Sequence, residues 1–261
     1  MTDLATHHYI LIALTFVWSG FVRSGLGFGG AALALPFLLV IHPEPVLFLP
    51  LLAIHLLIFS VWITHGRHLV ARWRGSTQTR TASNIDWRFI RYALAIMMVP
   101  KLIGIVGLIT LPGETVSIVI CVIIAAYAVG YITDKPIVSQ HKATDILFLA
   151  IGGYASGISL IGAPLIAAVF ASHVARGALR DTLFVTWFVV TGLKVIALMA
   201  AGVDMQWVHH LWLLPCVTVG HILGMQVHEW LQTGDAKLFN RFLGTALLLV
   251  SSVGIATAWN T

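Results

Sequence analysis

Charge is what this 261-residue sequence has least of: Asp, Glu, Lys and Arg together make up 10% of it, against about a quarter in a soluble globular domain. Acids are the scarcer sign. All ten (Asp3, Glu44, Asp86, Glu114, Asp134, Asp145, Asp181, Asp204, Glu229 and Asp235) lie between apolar runs or at their ends. No carboxylate stands deep in a run, which removes the usual ligands of a cation pathway and the usual carriers of a proton pump. Cysteine is nearly absent. Cys121 and Cys216 both sit inside apolar runs and read as small buried hydrophobes, not as a disulfide framework or a zinc site. HExxH, GxSxG, P-loop and CxxCH motifs are missing, so no enzyme or haem-attachment reading has a motif to rest on. The opening "MTDLATHH" lacks the cationic start of a secretory signal, so the first apolar segment is expected to be retained.

Apolar residues fill the space that charge leaves. The chain is 59% hydrophobic with a mean hydropathy of +0.94, more apolar surface than a water-soluble fold can hide, so its solvent is lipid. Eight apolar segments run over 8–41, 45–65, 89–111, 115–132, 146–172, 182–201, 208–226 and 241–259. Each plain segment has roughly the 17–25 residues of one helical crossing. The expected fold is an all-α integral membrane protein in two similar four-segment halves, residues 1–133 and 146–261, joined by the polar linker 134–145, "DKPIVSQHKATD".

The first and fifth segments are the unusual ones. "RSGLGFGGAALAL" contains Gly25, Gly27 and Gly30 at G-x-G-x-x-G spacing, but it joins two apolar stretches and not a strand to a soluble helix, so it is no dinucleotide turn. A related stretch, "SGISLIGAPL", opens the second half. Ser24-Gly25 matches Ser156-Gly157, and Gly30 matches Gly162. Glycine-broken segments at corresponding positions of two halves point to a transporter binding site. Bare backbone there exposes N–H groups, and half-helix N-termini favour an anion. The plainer reading is a small-residue packing face through Gly25 and Gly29.

Two topologies are open. Lys and Arg cluster in the 66–91 loop, in the linker (Lys135, Lys142), in 172–181 (Arg176, Arg180) and in 226–241 (Lys237, Arg241). If every segment crossed once, 172–181 and 226–241 would lie outside, against the positive-inside rule. If each broken segment is instead a re-entrant hairpin, every basic loop is cytoplasmic and the two halves are inverted. The alternative is two parallel halves of four crossings. The formal charge of +5 thus reads as membrane orientation and not as nucleic-acid binding, and most tryptophans fall near segment ends as an interfacial belt.

Ionisable groups inside apolar segments are costly and mark function. Here they are Arg23, His55, Lys101, Lys194 and His221, with the hydroxyls of Ser24, Ser156 and Ser159 beside the breaks. Lys101 stands near the middle of its segment, too deep to reach the interface, whereas Arg23 and Lys194 lie within snorkelling distance of an end. Cations without internal partners call for a transported anion. The candidate substrate site is Arg23, Ser24, Gly25, Gly27, Gly29, Gly30, Lys101, Ser156, Gly157, Ser159, Gly162 and Lys194, with His55 and His221 handling protons or substrate. No metal or cofactor is expected.

"GFVRSGLGFGGAALALPFLL" and "GGYASGISLIGAPLIAAVF", with the basic loop ending "NIDWRF" and the later "RGALRDT", resemble the repeated signatures of the sulfite exporter TauE/SafE family of membrane permeases across nearly the whole chain. Two positions depart: Ala31 stands where a third glycine is usual, and Ser159 where a glycine is common. The resemblance implies secondary transport of small, often sulfur-containing anions such as sulfite or sulfonates, by alternating access. The expected setting is a bacterial inner membrane, with the 66–91 loop cytoplasmic, lipid and a small anion as partners, and room for a homo-oligomer. The rivals are a passive anion channel and a redox subunit binding haem or metal through His55, His65, His209, His210 or His221.

Overall fold

The computed structural model describes residues 5–26, 30–73, 85–133, 139, 141–233 and 236–259. Among these residues it has ten helices and no strand: α1 (Thr6–Leu26), α2 (Gly30–Ile41), α3 (Pro45–Trp73), α4 (Trp87–Thr110), α5 (Gly113–Thr133), α6 (Lys142–Ile158), α7 (Ala163–His173), α8 (Arg176–Ala200), α9 (Trp207–Thr233) and α10 (Ala236–Trp259). Each plain apolar segment is one helix, and each glycine-broken segment is two. Boundaries shift where apolarity stops but the helix does not. Residues 66–73 of the expected basic loop continue α3, Lys142 to Asp145 of the expected linker open α6, and α9 runs seven residues beyond 226.

Among the described residues, four helices are long and apolar enough to cross a membrane (Trp87–Thr110, Gly113–Thr133, Arg176–Ala200 and Trp207–Gln226), alongside shorter apolar helices at Pro45–Val61, Ala163–His173 and Leu243–Trp259. Their outward faces are apolar. On α4, Val99, Leu102, Ile103 and Val106 are 45–64% exposed, while Met97, Lys101, Gly104 and Leu108 turn inward. A soluble protein does not leave such a face uncovered. Hydroxyls on the helices mostly satisfy themselves by donating one turn back, as Thr15 does to the Leu11 carbonyl (2.8 Å) and Thr186 to that of Thr182 (2.8 Å).

Both broken segments fold back on themselves. In the second, Gly162 rests against Gly152 and Ser156, Ile166 covers Gly152, and His173 Nε2 meets Asp145 at 2.8 Å. Partners thus approach one another in sequence as the turn nears, the signature of an antiparallel hairpin. Asp145 also accepts from Ser139 (2.5 Å), and Phe89 stacks on the His173 ring at 5.3 Å. The arm from Asp145 to Ile158 is about 20 Å long at 1.5 Å per residue, so the turn lies deep relative to a hydrocarbon core of about 30 Å. In the first hairpin Ser19 Oγ donates to the Gly30 carbonyl (3.1 Å) and Trp18 Nε1 to that of Leu33 (3.3 Å).

Helices pair across the middle of the chain. α1 lies along α9, α4 along α6, α3 against α8 and α5 against α10. The first two pairs are parallel. Tyr9 meets His209 and Trp212 while Gly20 meets Val217. Met97 meets Gly153 while Lys101 meets Gly157. These crossings need glycine, because a Cβ on Gly104 would stand 2.5 Å from the Tyr154 carbonyl oxygen and one on Gly153 2.7 Å from that of Met97.

The bundle has two unlike ends. At one, Ser117 Oγ donates to the Pro43 carbonyl (3.0 Å) and Gly113 abuts the Glu44 carboxylate. At the other, the Asp86 amide donates to Thr182 Oγ1 (3.1 Å), the Asp86 carboxylate caps α4 at Phe89 (2.9 Å), and Tyr131 packs on Gly244. Arg88, Arg91, Lys142, Arg176 and Arg241 belong to this second end, whereas the described residues of the first carry Glu44, Glu114 and Asp204 but no Lys or Arg.

Candidate functional site

Two clusters of cations form where the hairpins meet their partner helices. The first surrounds the α6–α7 turn. Lys101, following Pro100 on α4, is wholly buried. Its Nζ donates to Ser156 Oγ (2.7 Å) and toward the Ser156 carbonyl (3.4 Å). Gly157 lets the α4 backbone come close enough for this, since any side chain there would strike the Lys101 carbonyl. Lys194 reaches in from α8, also wholly buried, and donates to the Ser159 carbonyl. Both ammonium groups thus adjoin the same turn, Lys101 through Ser156 and Lys194 through Ser159. Ser159 ends α6, and its hydroxyl is occupied, donating to Ala155 (2.6 Å) and accepting from the Ile161 amide (3.2 Å). α7 then starts at Ala163 with Gly162 as N-cap, Pro164 in its first turn and no side-chain cap. The positive end of a half-helix thereby adjoins two lysines.

The second cluster surrounds the first hairpin. Ser24 Oγ on α1 hydrogen-bonds Nδ1 of His221 on α9. Arg23 Nη1 donates to the His55 carbonyl (3.3 Å), its guanidinium lies 5.3 Å over the Phe59 ring, and its Nη2 is buried without a partner among the described residues. Gly30 fits against Ser19 and the Arg23 side chain. His55 is wholly buried on α3, and its Nε2 lies 3.1 Å from Nδ1 of His210. Gly25 lies within α1, while Gly27 and Gly29 are outside the described residues.

The clusters correspond. Lys101 bonds Ser156 across α4 and α6, and His221 bonds Ser24 across α9 and α1. In sequence, "KLIG" from Lys101 matches "HILG" from His221. One cluster is lysine-rich and the other pairs arginine with histidines. The structure brings Lys101, Ser156, Gly157, Ser159, Gly162 and Lys194 together, and separately Arg23, Ser24, Gly30, His55 and His221. Lys194 and Arg23 both point inward; neither snorkels to an interface. His210, which the sequence offered only as a haem or metal ligand, adjoins His209 on α9, and adjacent residues face different sides of a helix. It is the inward one of the two, 5% exposed, while His209 accepts from Trp212 Nε1 (3.0 Å).

Among the described residues no three His, Cys, Asp or Glu side chains gather as a metal-ligand set, and the one ion pair is His173–Asp145, far along α6 from the cations. The side chain of His65 lies outside the described residues.

An all-helical bundle with apolar outer faces, and with buried cations at two helix breaks that meet no carboxylate among the described residues, has the make-up of a multi-pass membrane protein. The chain belongs to the sulfite exporter TauE/SafE family, whose model matches residues 11–253, and it is accordingly a membrane permease. No curated protein and no solved structure matches it.

Proposed function

We propose that the protein is a secondary transporter of small sulfur-containing anions, such as sulfite or a sulfonate, working by alternating access in a bacterial inner membrane. The observation that carries this is the pair of wholly buried lysines at the α6–α7 turn, held among the described residues by serine oxygens alone. A buried cation is costly without a counter-charge, and no carboxylate among the described residues supplies one. A transported oxyanion would lie between Lys101, Lys194 and the N-terminus of α7, with Ser156 orienting it. Arg23, Ser24 and His221 are the matching elements of the other hairpin.

On this reading the hairpins are re-entrant, the halves 1–133 and 146–261 are inverted, and the end bearing Arg88, Lys142 and Arg176, with the 66–91 region, faces the cytoplasm. The apolar faces meet lipid. The test is anion binding to pure protein in detergent by thermal shift, with sulfite, sulfate, thiosulfate, taurine, sulfoacetate and a carboxylate control. A shift with a sulfur oxyanion that is lost in Lys101→Ala, with folded yield retained, is the expected result. Equal loss of yield and binding would make Lys101 structural, and no shift with any anion would remove the transport reading.

A further inference from the structure

We propose that the His55–His210 pair is the binding site of a co-transported proton, so that the protein moves its anion together with H⁺. The inference rests on the anion-transport reading above.

The hydrogen-bond pattern fixes where protons sit. His210 Nε2 faces the Met205 carbonyl at 3.1 Å, and only an N–H satisfies that oxygen. A neutral His210 therefore presents a lone pair at Nδ1. The 3.1 Å contact with His55 Nε2 then requires the proton to be on His55. That leaves His55 Nδ1 as a bare acceptor, buried without a partner among the described residues. The ring is walled by Phe16, edge-on at 5.3 Å. A pair retained only for packing would have both rings fully used, as His210 is. Here the chain of donors is one proton short.

A proton arriving at His55 Nδ1 forms one N–H bond and breaks none, giving an imidazolium. Passing the Nε2 proton across to His210 Nδ1 carries the charge from α3 to α9. Toward this end of the bundle, the charged and titratable groups on the neighbouring elements are His7, His8, Tyr9 and Arg23 on α1, His209, Cys216 and His221 on α9, Lys194 on α8, Lys101 on α4, Glu44 before α3, Glu114 on α5 and Asp204 before α9. The cations oppose a second charge: Arg23 donates to the His55 carbonyl, and its neighbour Ser24 bonds His221. Asp204 directly precedes Met205, but its carboxylate is engaged, accepting from the amide of Gln206 (2.8 Å) and from its side chain (2.9 Å), and Glu44 lies against Gly113.

The missing counter-charge is the anion itself. Arg23, which donates to the His55 carbonyl, has its buried Nη2 without a partner among the described residues. An anion drawn there lowers the cost of the proton on His55, and the proton in turn strengthens anion binding. Linkage makes the two effects equal, so anion and proton load and leave together.

The test uses the full chain in liposomes, with thiosulfate and methanesulfonate as probes, because both stay fully ionised and carry no proton of their own. Counterflow reads anion exchange without net proton movement, and a trapped pH dye reads protons during net uptake. Wild type is expected to acidify the lumen in step with uptake. His55→Gln keeps a donor toward His210 but has no Nδ1, and its proton-to-anion ratio should fall by about tenfold or more. His210→Gln attacks the pair from the other side and should lower the ratio in the same way. Net uptake by wild type with no proton movement would overturn the proposal, whether or not the variants fold. So would a wild-type ratio in His55→Gln. Absence of counterflow with both probes would overturn the transport reading itself, a result distinct from uncoupled exchange.

Discussion

Lys194 is wholly buried and its one described bond is to a backbone carbonyl. Taking such a group out of water costs several kcal/mol unless an opposite charge compensates. Replacing it with methionine, which fills the same space, should therefore raise the thermal midpoint of the anion-free protein. The gain expected is of order 1–4 kcal/mol, the range found when buried ionic groups are exchanged for apolar ones. The same change should abolish any anion-dependent rise in that midpoint, and a lower midpoint without anion would show the lysine to be a structural strut. The intramembrane cations were legible in the sequence, since an ionisable group in an apolar run stands out by itself. Their partners were not: Lys101 and Ser156 are 55 positions apart, and helical periodicity says nothing about which helices become neighbours. His210 stood in the sequence as one histidine among several, and its contact with His55, 155 positions away, could not be read there.

At the scale of elements, the contact between α4 and α6 sets how closely Lys101 approaches the turn. Gly157→Val should force these helices apart and cost about 1–3 kcal/mol, as overpacking does. Gly130→Ala on α5, where an added methyl meets nothing within 4 Å, should be neutral or slightly stabilising. Thermal unfolding in detergent compares the two, and equal effects would mean that α4 and α6 do not pack this way. Apolar runs located the helices because lipid demands them. They misplaced several ends, because a helix leaving the apolar zone keeps its backbone bonds and continues through polar residues, as α3 does to Trp73. The glycine breaks were legible as irregularities. Only the contacts of Gly152 with Ile166 and of Asp145 with His173 show that the second one doubles back.

For the whole molecule, the two ends differ in charge, and the hairpins decide which loops share an end. Ala175, exposed between α7 and α8, and Ala201, exposed between α8 and α9, lie on opposite sides if α8 crosses the membrane. Ala201→Cys should react with a membrane-impermeant thiol reagent applied to intact spheroplasts, and Ala175→Cys should react only after lysis. The reverse pattern would invert the orientation proposed here. The pairing of α1 with α9 and of α4 with α6 also bears on how the chain is made. Each hairpin is held chiefly by a helix from the other half. When α1 leaves the ribosome, its partner is still some two hundred residues from being synthesised. Until α9 arrives, Ser24 lacks His221 and Gly20 lacks Val217. The nascent first hairpin must wait in the bilayer with Arg23 only provisionally sheltered, so it is the part of this protein most exposed to insertion factors and quality-control proteases, and the last to settle.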